Sequence, residues 1–232
     1  MESHPTVSRE AWLQARKALL AKEKEFTKLR EQLNRERRAL PWVEVNKNYI
    51  FAGESGSVSL RDLFAERSQL IVYHFMFGPN WEEGCPSCSF WADNYDGGIV
   101  HLNQRDISFA TISRGPIDKL LSYRSRMGWS FNWVSSLDND FNYDFGVSFP
   151  TEMQSDKDLY NYVPRSTDME ELPGLSVFCK NAAGTVFHTY SCYARGLDML
   201  NGTYHHMDLV PKGRDEEALD FPMSWVRRKD CY

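Results

Sequence analysis

Long apolar runs are missing from this chain. The longest, Leu70 to Phe77, has eight residues and is broken by His74, whereas a membrane-spanning helix needs about 20. No membrane partner is therefore expected. Signal features are scarce at the start: Met1-Glu2-Ser3-His4-Pro5-Thr6 carries neither the basic flank nor the apolar stretch of a secretory signal, so a cytoplasmic location is expected. Cysteine is scarce and odd in number, with five residues, which argues against a secreted disulfide framework and for thiols kept reduced. Positive charge is in deficit: 27 Lys and Arg face 32 Asp and Glu, a net charge of -5, so general affinity for nucleic acid is not expected. No glycine-rich phosphate loop follows a strand, and no cofactor is expected. Internal repeats and low-complexity tracts are absent.

What is present suffices for a packed core. Of 232 residues, 42% are apolar and 14% aromatic, enough for one large domain or two small ones. Charge is unevenly placed: residues 8–40 hold ten Lys or Arg against five Asp or Glu, a balance of +5 that leaves -10 on the remainder. Trp12, Leu19, Phe26, Leu33 and Leu40 recur every seven residues in this basic stretch. The period predicts one long helix from the Ser8 cap to a stop at Pro41. Its apolar stripe is too narrow for a helix surrounded by core. It suits either pairing in a homodimer or folding back on its own acidic subunit. The expected organisation is an N-terminal helical arm at 1–40 and a domain at 41–232.

Beyond Pro41 the pattern shortens. Trp42 to Val45 and Tyr49 to Phe51 read as a hairpin, Leu60 to Glu66 as a short helical turn, and Gln69 to Phe77 as a central strand covered on both faces. Helix from Cys85 to Ile99, strand from Ile107 to Ile112 and helix from Ile117 to Met127 follow, the order of a sheet with parallel pairs. Trp129 to Val134 alternates as a half-buried strand. Residues 150–172 carry six acids and two bases without periodicity and read as a surface insertion. Leu175 to Cys179 and Thr185 to Tyr190 read as a hairpin, and Leu197 to Tyr204 as a final helix.

The chemistry concentrates at Gly84-Cys85-Pro86-Ser87-Cys88. Set between the central strand and a helix, Cys85 falls at a helix N-terminus, where unpaired N–H groups favour thiolate over thiol. Cys85 is the candidate nucleophile. Cys88, one turn along, is placed to resolve a mixed disulfide. Glu82 and Glu83 precede Cys85 with no Lys or Arg adjacent in sequence, so local charge is expected to oppose the thiolate. A pair of inert, semi-buried thiols is the plain alternative. A second is metal: Cys85, Cys88, His188 and Cys192 supply zinc-type ligands, although a hundred residues separate the two halves; no metal is expected. His74 reads as a hydrogen-bonded core histidine before a base, and the aromatic group around Trp129, Phe131 and Trp133 as core.

The segments Gly84-Cys85-Pro86-Ser87-Cys88-Ser89-Phe90-Trp91-Ala92-Asp93, Met127-Gly128-Trp129-Ser130-Phe131, Asn142-Tyr143-Asp144-Phe145-Gly146-Val147, Leu172-Pro173-Gly174-Leu175-Ser176-Val177-Phe178 and Tyr193-Ala194-Arg195-Gly196-Leu197-Asp198 together resemble a bacterial thioredoxin-like family. That family is catalogued as predicted dithiol-disulfide oxidoreductases of otherwise unknown function. The resemblance implies an α/β fold with a thioredoxin-like central sheet flanked by helices, the dithiol at the end of the first parallel strand, and a closing hairpin. It also implies a cis-proline opposite the dithiol, near Pro173. Trp81, Pro86, Pro173 and Gly174 are the candidate substrate-binding residues. Peroxiredoxins are a weaker likeness, since they place Thr or Ser where this chain has Glu82.

The expected activity is thiol–disulfide exchange with a protein or small-molecule partner, Cys85 attacking and Cys88 resolving. A Cys85-dependent thiol peroxidase is the alternative enzyme, and a metal-binding or interaction module the alternative without turnover. Within the closing hairpin, Cys192 is expected to return toward the dithiol as a third thiol. Cys179 and Cys231 are expected to be bystanders.

Overall fold

The computed structural model describes residues 4–149, 159–164 and 167–232. The chain divides into two compact units, Met1–Pro41 and Trp42–Tyr232. The first contains helix α1 (Arg9–Arg38), capped by Ser8, whose hydroxyl accepts from the Ala11 N–H at 3.2 Å. Glu10 in its first turn and Arg35, Arg37 and Arg38 in its last complement the helix dipole. No residue of α1 is buried, and the heptad residues Trp12, Leu19, Phe26 and Leu33 stay between 45% and 64% exposed.

The second unit is built on a sheet. Its strands are β1 (Val43–Glu44), β2 (Ile50–Gly53), β3 (Gly56–Ser59), β4 (Gln69–His74), β5 (Ile107–Ser113), β6 (Asn132–Ser135), and, past a separate small hairpin β7 (Leu159–Tyr160) and β8 (Val163–Pro164), β9 (Gly174–Lys180) and β10 (Val186–Tyr193). Among the described residues the main sheet runs β1-β10-β9-β4-β5-β6-β2-β3. At its centre β4 is parallel to β5 and antiparallel to β9, which closes a hairpin with β10. Two parallel strands flanked by an antiparallel hairpin, in the order β10-β9-β4-β5, are the thioredoxin-like core. The helices are α2 (Pro86–Asp96), α3 (Ile99–Asn103), α4 (Ile117–Met127), α5 (Phe141–Asp144) and α6 (Gly202–Met207).

Alternation along the strands sorts side chains onto two faces. Tyr73, Phe109, Trp133, Leu175 and Cys192 meet α2 and α4 through Cys88, Trp91, Leu120 and Tyr123. Leu70, Val72, Ile112 and Phe178 turn the other way, toward Phe51, Leu63, Phe64 and Phe141. Both faces of β4 are thus covered, which is why its sequence shows a continuous apolar run.

Three elements differ from the sequence reading. Trp42 to Val45 does not pair with Tyr49 to Phe51: β1 joins the far edge, with Val43 opposite His188, while β2 turns back onto β3. Alternation marks a strand but does not name its partner, and Gly56, with φ of 118°, makes the tighter turn available further on. Leu197 to Tyr204 is not one helix. A 3-10 segment, Ala194–Leu200, ends at Asn201, whose side chain caps α6 by accepting from the Tyr204 N–H at 3.0 Å. Within the acidic insertion, residues 150–158 and 165–166 lie outside the described set. The remainder includes the β7–β8 hairpin, held to the core where the Tyr162 hydroxyl donates to the Ser191 carbonyl at 3.0 Å.

Candidate dithiol site

Strand β4 ends at His74 and the chain runs on as Phe75-Met76-Phe77, all buried, before Gly78-Pro79-Asn80 turns it. It returns so that the Cys85 N–H donates to the Met76 carbonyl at 3.1 Å. Gly84 makes this approach possible, because a Cβ there would lie 2.6 Å from Phe75 and 2.8 Å from Tyr123. Cys85 is then the N-cap of α2, with Pro86 in the first turn, where its missing N–H costs nothing.

Cys85 is half-buried and Cys88 buried, and both are free thiols. The Cys88 thiol hydrogen-bonds the Cys85 sulfur, and the N–H groups of Cys88 and Ser87 point at it. Together with the Arg228 charge they outweigh burial and lower the Cys85 pKa to about 7. Cys88 moves the other way. Burial first, then the Cys85 sulfur beside it, raises it well above the ordinary thiol value. Of the two sulfurs, Cys85 is therefore the one that loses its proton first and Cys88 the one that keeps it.

The expected opposition from Glu82 and Glu83 is not what the structure contains. Lys119 pairs with Glu82 at 2.7 Å, Arg228 pairs with Glu83 at 2.8 Å, and Arg126 reaches Glu83 as well. These cations come from α4 and from the C-terminal tail, remote in sequence and close in space. Arg228 does most to join the parts: besides Glu83 it donates to the Gly84 carbonyl at 2.9 Å and to the Tyr123 hydroxyl at 3.0 Å. The Tyr123 hydroxyl lies 2.9 Å from that of Ser89, which donates to the Cys85 carbonyl at 2.9 Å. The sequence reading assigned no role to Arg228, Tyr123 or Ser89; the one signal that could have pointed to the tail is the basic run Arg227-Arg228-Lys229 in an otherwise acidic domain.

A cavity of about 290 Å³ opens beside the two cysteines. Its apolar wall is formed by Tyr73, Met76, Trp91, Leu197, Tyr204 and Met223, and Arg195, Asp198, Arg214 and Glu216 supply its charged groups. Pro173 also lines it. Trp81, Pro86, Gly174 and Cys192 do not figure among its described lining residues. Trp81 packs against the core edge with its carbonyl accepting from Lys119, Pro86 belongs to the helix turn, and Gly174 is buried against Tyr193. The Leu172–Pro173 bond is trans, unlike the cis bond the resemblance implied. The Pro173 carbonyl accepts from the Tyr160 hydroxyl at 2.7 Å, and the Tyr160 hydroxyl oxygen in turn accepts from the Ala194 N–H at 2.9 Å.

The other cysteines occupy distinct places. Cys192 stands opposite Leu175, which stands opposite Tyr73, and it shares the apolar cluster containing Cys88. Cys179 pairs with Gln69 at the opposite end of β4. Cys231 is exposed on the tail, its sulfur 4.0 Å from Arg126, so the tail cysteine sits closer to the site's cations than a bystander in a remote tail would.

The four residues weighed as zinc ligands are split by the sheet. His188 packs edge-on against Phe145 and tilted against Phe178 on one face, whereas Cys192 lies with Cys88 on the other. Among the described residues no group of three or more His, Cys, Asp or Glu is arranged to hold a metal ion. His74 is buried, its Nε2 2.8 Å from the Ser176 hydroxyl, and burial followed by the nearby His188 lowers its pKa to about 3. Among the described residues no helix is long and apolar enough to cross a membrane.

Comparison with known proteins gives one family match, over residues 1–232, to "Bacterial protein of unknown function (DUF899)". No curated protein matches the chain. Solved structures that resemble it include the peroxidoxin BcpB from Mycobacterium tuberculosis, at 12% identity and a TM-score of 0.49, covering 71% of this chain and 95% of that one. A peroxiredoxin Q mutant from Xanthomonas campestris gives 13% identity and 0.49, covering 72% and 98%. The mitochondrial 2-Cys peroxiredoxin from Plasmodium falciparum gives 13% and 0.42, covering 72% and 92%.

Proposed function

The chain belongs to that bacterial family of unknown function, and from its own site we propose that it is a dithiol–disulfide oxidoreductase. One observation carries the reading: two cysteines a helical turn apart, at the N-terminus of α2, have pKa values driven in opposite directions. The Cys85 thiolate attacks one sulfur of a substrate disulfide and expels the other as a thiolate, leaving a mixed disulfide on Cys85. Cys88 then gives up its proton and attacks the Cys85 sulfur. The second substrate sulfur leaves, and the protein disulfide forms. Two electrons pass from the dithiol to the substrate, or in the reverse sequence from a substrate dithiol to the protein.

The apolar setting of Cys88 supports this division of labour, because a resolving thiol that stays protonated does not compete for the first attack. The test is the reduction potential of the Cys85/Cys88 couple, with thiols counted before and after peroxide. A potential near about -270 mV marks a reductant and one near about -120 mV an oxidant. Catalytic consumption of peroxide, with Cys88→Ser still able to complete one turnover, would replace disulfide exchange by the peroxidase reading.

A further inference from the structure

The cavity beside the dithiol carries information about what enters it. Three of its four charged groups, Asp198, Arg214 and Glu216, are held by neighbouring protein groups, and the fourth, Arg195, is exposed. Arg214 holds Asp198 through both nitrogens at 2.8 and 2.9 Å and Asp208 at 2.8 Å, and its guanidinium lies 4.0 Å from the centre of the Tyr204 ring. Glu216 accepts from the Tyr204 hydroxyl at 2.8 Å, the Trp225 indole at 2.6 Å and the Met223 N–H at 3.1 Å. The three donors to Glu216 all converge on its Oε1, which they saturate, and a guanidinium that holds two carboxylates has little left for a ligand. What faces the space is apolar surface from Met76, Trp91, Leu197, Tyr204 and Met223, with the Cys85 sulfur at one side. Such a lining favours the transfer of apolar area out of water.

The same region is closed to an extended polypeptide. A peptide that docks by strand addition needs free backbone donors and acceptors at the rim. Two backbone groups of residues that line this cavity, the Pro173 carbonyl and the Ala194 N–H, both bond the Tyr160 hydroxyl, at 2.7 and 2.9 Å. Tyr160 is further held by the Tyr193 ring, 5.6 Å away between centroids.

We infer that the substrate is a low-molecular-weight disulfide with an apolar arm of aromatic size, seated between Trp91, Leu197, Tyr204 and Met223, and not a protein disulfide presented on an extended strand. The inference rests on the exchange reading of Cys85 and Cys88. The substrate sulfur nearer Cys85 forms the mixed disulfide and the other leaves as the arm's thiolate. The protein is oxidised by two electrons and the substrate reduced by two.

The test compares initial rates of the reduced full-length protein with 4,4′-dithiodipyridine, bis(2-hydroxyethyl) disulfide and insulin, each divided by the rate of dithiothreitol with the same compound to cancel intrinsic electrophilicity. The aromatic disulfide is expected to be favoured by about tenfold or more over the hydroxyethyl compound, and to show saturation. Insulin is expected to be the poorest. Met223→Asn, which retains a residue tolerant of the positive φ of 72° at this position, should lower the aromatic preference at least threefold or so. Tyr160→Phe, which releases the Pro173 carbonyl and Ala194 N–H, should raise the insulin rate relative to the aromatic one. Equal normalised rates, or a preference for insulin that Tyr160→Phe leaves unchanged, overturn the substrate class while disulfide exchange stands. Failure to reduce any of the three overturns the exchange reading and this inference with it.

Discussion

Arg228 donates to the carbonyl of Gly84 at 2.9 Å, so a residue four positions from the C-terminus is bonded to the one immediately before Cys85. The tail therefore belongs to the site. Its guanidinium also satisfies Glu83 and the Tyr123 hydroxyl, placing a positive charge beside a sulfur that otherwise follows two acids. Replacing Arg228 by Gln removes that charge while keeping an amide donor. Cys85 alkylation should then show a midpoint shifted upward from that of the parent with Arg228, with the thiolate fraction at neutral pH reduced about twofold. A pH profile of iodoacetamide labelling of Cys85 in Cys88→Ser and Cys88→Ser/Arg228→Gln measures it. Superimposed profiles would show that the tail has no electrostatic role.

Cys85→Ser should abolish disulfide exchange, whereas Cys88→Ser should accumulate a mixed disulfide on Cys85, seen by mass spectrometry as retained substrate thiol. The asymmetry follows from the lowered and raised thiols. Full turnover by Cys88→Ser would contradict the assigned roles.

Mild oxidation of the folded protein should yield a Cys85–Cys88 bridge and leave Cys179 reduced. Cys179 pairs with Gln69, at the end of β4 opposite His74, and each strand residue advances about 3.3 Å, well beyond disulfide reach over that length. Cys192, in the same cluster as Cys88, is the third thiol proposed to exchange with the pair. A Cys85–Cys179 peptide in the digest would contradict the strand register.

Glu171 gives a pH dependence of stability. It is 2% exposed, accepts from the Ser148 hydroxyl at 2.5 Å and from Arg114 at 3.3 Å, and burial raises its pKa from 4.5 to about 7. Because the folded state binds this proton more tightly than the unfolded one, the contribution is fully present below about pH 4.5. It is lost as pH rises through about 7. Urea unfolding of the wild type and Glu171→Gln from pH 4 to 8 should show the wild-type advantage shrinking by up to roughly 3 kcal/mol as pH rises. A difference independent of pH would mean that the Glu171 pKa is the same in the folded and unfolded states.

The heptad residues of α1 lead to a proposal of self-association. Trp12, Leu19, Phe26 and Leu33 retain 45–64% exposure, an apolar stripe that a second copy of the helix would cover. Phe26→Glu with Leu33→Glu should convert a dimer into a monomer in sedimentation velocity. A wild-type protein already monomeric at micromolar concentration removes the proposal.

The sequence alone determined what depends on neighbours in the chain. Apolar runs and alternation marked β4, β5, β9 and β10, Ser8 capped α1, and Pro86 behind Cys85 marked the start of α2, because strand faces, caps and helix termini are set by residues a few positions apart. Cys85 and Cys88 were legible for that reason. The tertiary structure decided what depends on residues that only folding brings together: β1 crossing to β10 instead of pairing with β2, the splitting of His188 from Cys192 by the sheet, and the occupation of the Pro173 carbonyl by Tyr160. It also reversed the electrostatics of the site. Along the chain Glu82 and Glu83 stand unopposed before Cys85; in space Lys119, Arg126 and Arg228 pair with them. Coulomb interactions fall with distance through space and take no account of separation along the chain, so the charge felt at Cys85 was fixed only when α4 and the C-terminal tail reached it.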